Sequence, residues 1–496
     1  MRLFLVGFTV VFILIFSVSC FDEEFTDDSS AKLEFSADTV AFDTVFTTIG
    51  STTKQLRVIN PYNKYLNISQ IYLGGGENSF FRLNVDGEKA RSVSNIEIAP
   101  KDSIYIFIEV TVDPLGVNNP LVINDSIIFV TNGNVQDINL VAYGQDVHLI
   151  DGQVIETETW IADKPYLIYN SMLIDSGHTL TIEPGATLYF HKNSYLYVIG
   201  TIIAGGTKEN PILFRGDRLD NIFPGFPYDK LPNQWEGIFI YPTSTGNIFN
   251  YCHIKNGTFG IFAAGDLSGN YMAEITINNS ILENFSYGAL LLYNATITMQ
   301  NSLIANASTY LLGVPAGGDL SIRNCTFANY FYHSNSFKRK GEPSVLISNQ
   351  FYTISPFTKK DTLVTSHLKK ADFENCIVYG LYENELYLFD NKVKDFNYRF
   401  NHCLLKVAKD SVDHQNTERF TEVIFNEDPK FKKIALSDDY FTSEYYFNFT
   451  LDTLSPAKDK GDPSIITTYP GLESDMLGNS RLIDAGPDIG AYERVE

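Results

Sequence analysis

Short segments that alternate apolar and polar residues follow one another along almost the whole chain. Between residues 33 and 145 they include "TVAFDTVFTT", "KQLRVIN", "FFRLNVDG", "SIYIFIEVTVD" and "DSIIFVTN", and each is bounded by Gly, Asn, Asp or Pro. Alternation with period two places successive side chains on opposite faces of a β-strand, and turn residues end each strand. About seven or eight such strands in about 110 residues predict an antiparallel β-sandwich.

A five-residue phrase then recurs at intervals of about two dozen residues, which is the range of solenoid repeats. Its copies are "NYCHI", "NNSIL", "QNSLI", "RNCTF", "SNQFY", "ENCIV" and "NHCLL". The third position of each copy is occupied by Cys252, Ser280, Ser302, Cys325, Gln350, Cys376 and Cys403. This period, with short β-like pieces and turn residues between the copies, predicts a β-solenoid whose coils stack about 4.8 Å apart.

The second position of the phrase is Asn in most copies. Asn tolerates the left-handed turn conformation, and stacked Asn side chains can hydrogen-bond to one another. We therefore expect Asn301 and Asn324 at equivalent corners of neighbouring coils, with Ser302 and Cys325 pointing into the core. The cysteines after residue 20 show no CxxC or His/Cys metal spacing, so we predict that they are core thiols and neither a disulfide framework nor a metal site.

The two patterns divide the chain into segments. We predict a signal peptide in residues 1–20, an acidic tether in 21–32, the β-sandwich in 33–145, the β-helix in 147–435, and a C-terminal tail in 436–496 that packs on or caps the β-helix. The predicted fold class is therefore all-β.

The N-terminus carries an export signal. Arg2 precedes an apolar run that is too short to span a bilayer comfortably, and small residues lead to Cys20. The segment resembles a bacterial lipoprotein signal, which implies lipidation of Cys20; the alternative is an ordinary secretory signal with an incidental cysteine. The following "FDEEFTDDSS" resembles the export signals of surface lipoproteins in some Gram-negative bacteria, and the alternative is a solvated periplasmic linker. We expect a lipid-anchored, surface-exposed protein of the outer membrane.

The net charge of the chain disfavours some classes of binding partner. The 496 residues carry a formal net charge of −22, which disfavours generic binding to nucleic acid or to an anionic bilayer. We expect a monomer attached to the membrane through its lipid alone, with a polysaccharide or surface glycan as the partner.

Longer motifs resemble known families. "GSTTKQLRVINP" and "SIYIFIEVTVDP" resemble immunoglobulin-like domains of the abnormal-spindle/major-sperm-protein type, which implies a spacer or a protein contact. "LTIEPGATLYFHKNSYLYVIGTIIAGG", "SPAKDKGDPS" and "DAGPDIGAYE" resemble secreted right-handed parallel β-helix proteins of the pectate-lyase-like superfamily. This resemblance implies the fold, but the fold hosts lyases, hydrolases, adhesins and spike proteins alike.

Long insertions between coils supply the candidate ligand-binding residues. The loop "DRLDNIFPGFPYDKLPNQW" contributes Phe226, Tyr228 and Trp235, whose rings can stack on sugars; the alternative is that they bury one another against the coil. Two further insertions contribute the basic candidates, which are Lys338, Arg339, Lys340, Lys359 and Lys360. A basic strip can hold the carboxylates of an acidic glycan, and the alternative is a solvated run of charge.

The sequence shows no catalytic constellation, so the catalytic residues are unknown and we assign no metal ligand. No cofactor is expected; Ca²⁺ enters only if the protein is a lyase, which in this fold uses a Lys or Arg base. The leading hypothesis is a cell-surface lipoprotein whose β-helix binds glycan or another surface partner without catalysis. The alternatives are a polysaccharide lyase or glycoside hydrolase acting on an acidic glycan, and a structural or adhesive surface protein.

Overall fold

A computed structural model of the chain describes residues 24–47, 49–112, 121–223, 225–266, 271–332, 338–354, 361–435, 442 and 446–494. Three of the predicted site residues, Cys20, Lys359 and Lys360, lie outside these ranges. The chain divides into two compact units, Met1–Asp146 and Val147–Glu496.

The first unit is a β-sandwich of two five-stranded sheets. The first sheet contains Glu34–Phe35, Lys54–Ile59, Ser103–Val110, Phe81–Val85 and Glu88–Ala90, in that spatial order. The second sheet contains Thr39–Phe46, Asn134–Gln145, Leu121–Thr131, Leu66–Leu73 and Ser92–Ile98, in that order. Every pairing is antiparallel except the one between Thr39–Phe46 and Asn134–Gln145. A 3₁₀ turn spans Gly76–Asn78.

The sandwich core is formed by the inward positions of the alternating strands. Leu56 and Ile106 from the first sheet and Ile68 and Phe129 from the second are fully buried, and each such side chain contributes about 1.5–3 kcal/mol through burial. The described part of the acidic segment begins at Glu24. The Thr26 amide donates to the Tyr65 carbonyl at 2.9 Å, so this part of the predicted tether lies along the sandwich.

The second unit is a parallel β-helix whose strands stack in three columns, here called faces A, B and C; face A is a ten-stranded sheet, and faces B and C belong to one eighteen-stranded sheet. Face A contains Glu158–Trp160, Thr179–Ile182, Thr201–Gly205, Asn247–Asn250, Glu274–Asn278, Ala295–Gln300, Gly318–Arg323, Leu368–Glu374, Arg399–Asn401 and Phe420–Thr421. Face B contains Thr187–Phe190, Ile212–Gly216, Cys252–Lys255, Ile281–Phe285, Leu303–Ala307, Thr326–Asn329, Ile377–Gly380, Leu404–Leu405 and Ile424–Phe425.

Face C contains Tyr195–Val198, Gly237–Ile240, Phe259–Ala264, Gly288–Tyr293, Leu312–Val314, Val345–Ser348 and Leu386–Phe389. The two opening strands, His148–Ile155 and Tyr166–Ile174, continue from face B into face C. Other elements are the hairpins Asn221–Phe223/Phe226–Pro227, Gln350–Ile354/Asp361–Thr365 and Phe431–Lys433/Asn448–Leu451, the 3₁₀ turn Tyr228–Lys230 and the helix Pro463–Thr468. The all-β class, with a β-sandwich ahead of a parallel β-helix, is as predicted.

The corner between faces A and B confirms the repeat. Residues in the left-handed region, with φ between 46° and 53°, stand there on successive coils: Tyr251, Asn279, Asn301, Asn324, Asn375 and His402. The Asn301 side chain donates to that of Asn279 at 3.3 Å. Ser302 and Cys325 are fully buried after this corner, as the sequence predicts.

One copy of the phrase is not a coil. Asn349 does not adopt the left-handed conformation of the other corners, and Gln350 begins the hairpin that leaves the edge of face C. The coil after Cys325 continues at Cys376 instead, because Thr326 pairs with Ile377. The prediction that "SNQFY" is a copy of the coil phrase is therefore wrong, because an insertion with strand-like alternation has a similar sequence.

The C-terminal tail packs along the outer surface of the β-helix. Met476, Ala491 and Tyr492 form an apolar cluster with Ala305 and Ala328 on the outside of face B. The short helix Pro463–Thr468 has Asp462 as its N-cap, and the Asp462 amide donates to the Asn375 side chain at 2.7 Å. The small outward residues of face B thus make room for the tail.

Candidate functional site

The outer surface of face C carries a continuous row of apolar and aromatic side chains. Paired positions on successive strands are occupied by Leu173, Tyr197, Phe239, Phe262, Leu291, Gly313, Leu346 and Tyr387. Aromatic residues beside this row are Tyr195, Tyr241, Phe259, Tyr287, Tyr293, Tyr310, Phe351 and Phe389. We call the aromatic members of both sets the aromatic strip. From Tyr197 to Tyr387 it crosses six coil steps, or about 29 Å at about 4.8 Å a step.

The outer positions of face C differ in kind from those of face A. A strand with one solvated side normally places polar residues outward. Face A follows this rule at the consecutive outer positions Thr276, Thr298 and Ser321, although apolar residues precede them in the same column. Face C does not follow it, and a contiguous apolar surface of this kind is typical of an interaction site.

The rings of the strip stack along the coil axis. Ring centroids are 4.7 Å apart for Phe239 and Phe262 and 5.2 Å apart for Phe262 and Tyr293. The next ring, that of Phe351, meets Tyr293 edge to face at 5.1 Å. These distances are those of favourable aromatic pairs, so the ring orientations are set before any ligand binds.

A depression of about 300 Å³ lies in the strip. Its floor includes Gly313, where a Cβ would lie 3.1 Å from a methyl group of Leu291 and 3.3 Å from the Tyr310 ring. Any side chain at this position would therefore crowd the floor. The hairpin Gln350–Ile354/Asp361–Thr365 contributes Phe351 to the wall.

The polar groups of the depression are uncharged. Burial raises the pKa of Tyr293, and burial together with the neighbouring Glu342 raises the pKa of Tyr310. These phenols therefore stay protonated at neutral pH, and the Tyr310 hydroxyl donates to the Glu342 carboxylate. No carboxylate or ammonium group lines the depression within the described ranges. Ring faces and hydroxyl groups together suit a ligand that has apolar C–H faces and hydroxyl groups, as a sugar has.

A separate charged cluster lies on the outside of face B, beside a cavity of about 210 Å³. Asp229 accepts from Arg215 and from Lys255, each at 2.9 Å, and Glu283 accepts from His253 at 2.8 Å. Burial alone would raise the pKa of both carboxyl groups, but their basic neighbours outweigh it. The pKa of Asp229 is lowered, and that of Glu283 is lowered to about 2.

The chemistry of this cluster is that of an ion-pair network. Both carboxylates are ionised at neutral pH, so neither holds the proton that a general acid must give to a leaving group. Lys255 is bonded to Asp229 and its side chain is 14% exposed. Sequence reasoning missed the cluster because its members come from separate coils and from a loop.

The structure corrects the predicted aromatic loop. Phe226 is fully buried and Trp235 is 1% exposed, with the Trp235 ring stacked on Phe190 at 4.2 Å. Tyr228 is partly buried, and its ring lies 3.8 Å from the guanidinium carbon of Arg218. Phe226 and Trp235 fold back onto the coil because burial of large rings is favourable, so they offer no surface to a ligand.

The described residues of the predicted basic strip do not all lie at the surface. Arg339 is buried and forms an ion pair with the fully buried Glu385, with 2.5 Å between Nη1 and Oε1. It is therefore part of the interior and is not a ligand contact. Lys338 and Lys340 are exposed, and Lys340 Nζ lies 6.0 Å from the centre of the Tyr287 ring. Lys340 is thus the one predicted basic residue that the described structure places beside the aromatic strip.

The residues of the strip escaped sequence reasoning, although a signal was present. The segments "YLYV" and "LYLF" place aromatic rings at alternate positions, and "GIFI" contains one ring. Which alternate set points outward depends on the register of the third strand in each coil, and insertions of different lengths precede that strand.

Two negative findings concern the described part of the chain. It contains no cluster of three or more His, Cys, Asp or Glu that is arranged to hold a metal ion. It also contains no helix with the length and apolar character needed to cross a bilayer.

Comparisons with known sequences match parts of the chain. Residues 228–364 match the family described as the right-handed β-helix region. A stretch of 51 residues is 41% identical to the protein bark beetle of Drosophila melanogaster, which covers 10% of this chain and 2% of that protein. The chain therefore spans only a small fraction of the curated relative that it matches.

Two solved structures resemble the chain at low identity. One is the pectate lyase Pel9A, with a TM-score of 0.31 and 13% identity, covering 71% of this chain and 88% of that one. The other is the ASH/PapD-like domain of human CEP192, with a TM-score of 0.17 and 12% identity, covering 26% of this chain and 95% of that domain. The second unit of the protein is a right-handed parallel β-helix, the class that the sequence predicts.

Proposed function

We propose that this protein is a lipid-anchored, surface-exposed protein of the outer membrane whose β-helix binds a glycan along the aromatic strip without cleaving it. The aromatic strip carries this proposal. Tyr197, Phe239 and Phe262 occupy paired positions on three successive coils, and the row continues through apolar positions to Tyr387, so the surface extends along the coil axis. Such a surface suits an extended chain of sugar rings.

Exposure along the strip supports this role. Tyr387 is 44% exposed and Tyr287 is 41% exposed, whereas aromatic rings inside the coils, such as Phe249, are fully buried. Tyr combines a large apolar surface with a hydroxyl group and loses little conformational entropy on binding, which is why it is enriched at recognition surfaces. Lys340 lies at the side of the strip, where it can reach an acidic substituent of the ligand.

Binding without cleavage is the version that the side chains support best. Within the described ranges, the depression in the strip has no carboxylate or amine in its lining, and its phenols remain protonated. The charged cluster of face B holds its carboxylates in ion pairs. Two alternative functions stand against this proposal. One is a lyase or hydrolase acting on an acidic glycan, and the other is a purely structural or adhesive role.

The anchor belongs to the same proposal. The lipoprotein resemblance around Cys20 and the acidic residues that follow it support attachment to the outer face of the outer membrane. Cys20→Ala is expected to release the protein from the membrane fraction, measured by detergent partitioning of cell fractions. Surface digestion of intact cells by protease tests the orientation. A mutant that stays in the membrane fraction contradicts the lipid anchor without affecting the proposal for the strip.

The binding test uses the soluble Cys20→Ala protein in affinity electrophoresis against a panel of neutral and acidic polysaccharides. The variant replaces Tyr293 and Tyr387 with Ala, and the matched control replaces Thr276 and Thr298 with Ala on the outside of face A. We expect retardation by at least one polysaccharide, and the Tyr variant should bind about 30-fold more weakly, because two rings at about 1 kcal/mol each contribute about 2 kcal/mol. The Thr control should bind like the wild type.

The outcomes separate the three functions. A glycan that keeps its length and is retarded only when the strip is intact supports binding. Unsaturated ends absorbing in the ultraviolet, or new reducing ends, would establish an enzyme. No retardation by any member of the panel would remove the glycan-binding proposal and leave the structural or adhesive role.

A further inference from the structure

The sandwich carries a depression of about 600 Å³ on the outer face of its first sheet. Strand alternation places Arg82 and Asn84 outward on Phe81–Val85, and Phe107 and Glu109 outward on Ser103–Val110. In the antiparallel register Asn84 pairs with Phe107 and Arg82 with Glu109. Lys89 on the edge strand pairs with Asn84 and completes the charged side of the depression.

The charges of the depression do not cancel. Glu109 accepts from the Thr53 hydroxyl at 3.0 Å, and Arg91 is paired with Glu77 at 2.9 Å. Arg82 and Lys89 form no ion pair with any residue that the structure describes. Glu109, the one carboxylate in the lining, stands opposite Arg82 in the register, so after the Arg91–Glu77 pair the depression keeps an excess of one positive charge on a chain whose net charge is −22.

Two further features point to a ligand with a ring and hydroxyl groups. The Phe107 ring is 41% exposed at the centre of this surface, where it can pack on an apolar face. The side-chain oxygen of Asn84 is buried and receives no hydrogen bond within the described structure. A buried acceptor without a donor is costly, so a donor supplied by a ligand would be favourable.

We infer that this depression is a second binding site and that it takes a carboxylated sugar. Arg82 and Lys89 bind the carboxylate, Phe107 packs on the sugar ring, and Asn84 accepts a hydrogen bond from a hydroxyl group. This site is independent of the aromatic strip, since it lies in the other unit of the chain. The sandwich is then a recognition module and does more than act as a spacer.

The test compares glucuronate with glucose, because the two differ only by the exchange of a carboxylate for a hydroxymethyl group. Titration calorimetry uses the full Cys20→Ala chain with Tyr293 and Tyr387 also replaced by Ala, so that the aromatic strip cannot contribute. We expect glucuronate to bind about tenfold more tightly than glucose, and Arg82→Gln with Lys89→Gln to remove this preference. Phe107→Ala should weaken both sugars.

Matched controls keep the outcome unambiguous. Arg57→Gln removes a cation from the same sheet outside the depression and should leave binding unchanged. Inorganic phosphate should compete weakly, because it lacks the ring. Equal affinity for glucuronate and glucose, unchanged binding by the Arg82/Lys89 variant, or phosphate competition as strong as that of glucuronate would each overturn the assignment. Loss of polysaccharide binding by the aromatic strip would not affect the assignment of this second site.

Discussion

Phe239 and Phe262 stand at paired positions of neighbouring coils, with ring centroids 4.7 Å apart and ring planes inclined by 15°. The spacing of the rings is the spacing of parallel strands in a sheet, so backbone pairing itself builds the stack. Both rings are only partly buried and lie outside the hydrophobic core of the coil. Their contacts with each other are therefore separable from the contacts that hold the fold together.

The first prediction tests this separation through Phe262→Ala. The change removes the ring contacts with Phe239 and with Tyr293. We expect the free energy of unfolding to fall by about 1–2 kcal/mol, because the ring is at the surface. The affinity for the glycan should fall by about tenfold, because the strip is interrupted. Urea denaturation and affinity electrophoresis measure the two effects.

Phe249→Leu is the control for this prediction. Phe249 is fully buried inside the coil and belongs to face A. The substitution should cost a similar free energy of unfolding, about 1–2 kcal/mol, without altering the strip. If both variants lose glycan affinity equally, the loss follows stability, and the strip is not the binding surface.

The elements that repeat were predictable from sequence. The corner residues Asn301 and Asn324 and the inward positions after them follow from a local rule, because each coil has the same turn and the same alternation. A local rule of this kind is visible in one sequence without knowledge of distant contacts. It identified the fold class and the core cysteines, including Cys376.

The elements that depend on insertions were not predictable. Asn349 and Gln350 repeat the letters of the phrase but open a hairpin. Arg339 reads as part of a solvated basic run, but its partner Glu385 lies on a later coil. Such pairs form only between neighbouring coils. The lengths of the insertions determine which segments of the sequence become neighbouring coils. For the same reason, the sequence did not show which residues of face C point outward.

The second prediction concerns the inward column that follows the Asn corner. Ser302 occupies this column in one coil and Cys325 in the next, and both side chains donate to the carbonyl two residues earlier, at 2.7 Å and 3.1 Å. Cys325→Ser should therefore cost less than about 1.5 kcal/mol, because the hydroxyl can make the same bond. Cys325→Asp should cost about 3–5 kcal/mol, because it buries a charge without a partner.

Thermal and urea unfolding of the two Cys325 variants gives the comparison directly. Equal stabilities for the Ser and Asp variants would mean that the column is accessible to water, in contradiction to the complete burial of Cys325.

The third prediction concerns the attachment of the tail. Arg481 is fully buried, forms an ion pair with Glu493 at 3.1 Å and donates to the Asn301 side chain at 3.2 Å. Arg481→Ala leaves the buried Glu493 carboxyl group and the carbonyls of Gly490 and Ala491 without their donor. We expect a loss of about 3–5 kcal/mol in the free energy of unfolding of the β-helix unit. Limited proteolysis should release tail fragments faster than in the wild type.

Lys392→Ala provides the surface control for the tail experiment. The Lys392 side chain is 82% exposed in its ion pair with Asp390, so its removal should change stability by less than about 1 kcal/mol. Comparable effects of the two substitutions would show that the tail is held by its apolar contacts alone.

The fourth prediction is a pH dependence of the same attachment. Burial raises the pKa of Asp488 to about 6, although the amides of Asp459 and Arg494 donate to its carboxyl group. The ordinary value of an unfolded Asp is about 3.9, so the folded state binds this proton more tightly than the unfolded state does. The resulting stability is fully present below about pH 4 and is lost as the pH rises toward 6.

Asp488→Asn isolates this contribution because an amide does not titrate in this range. The variant loses a hydrogen-bond acceptor at every pH, which lowers its free energy of unfolding by a constant amount. The comparison therefore uses the slope of the free energy of unfolding against pH. Between pH 4 and 6 the wild type should lose about 2–3 kcal/mol relative to Asp488→Asn, measured by urea denaturation at several pH values. Burial and the charge of Asp488 raise the pKa of Glu493 to about 8, so Asp488→Asn also lowers this second pKa, and the difference between the curves reports the coupled pair of carboxyl groups. Parallel curves over this range would mean that Asp488 is already ionised in the folded protein, and that its burial is compensated by the amides that bind it.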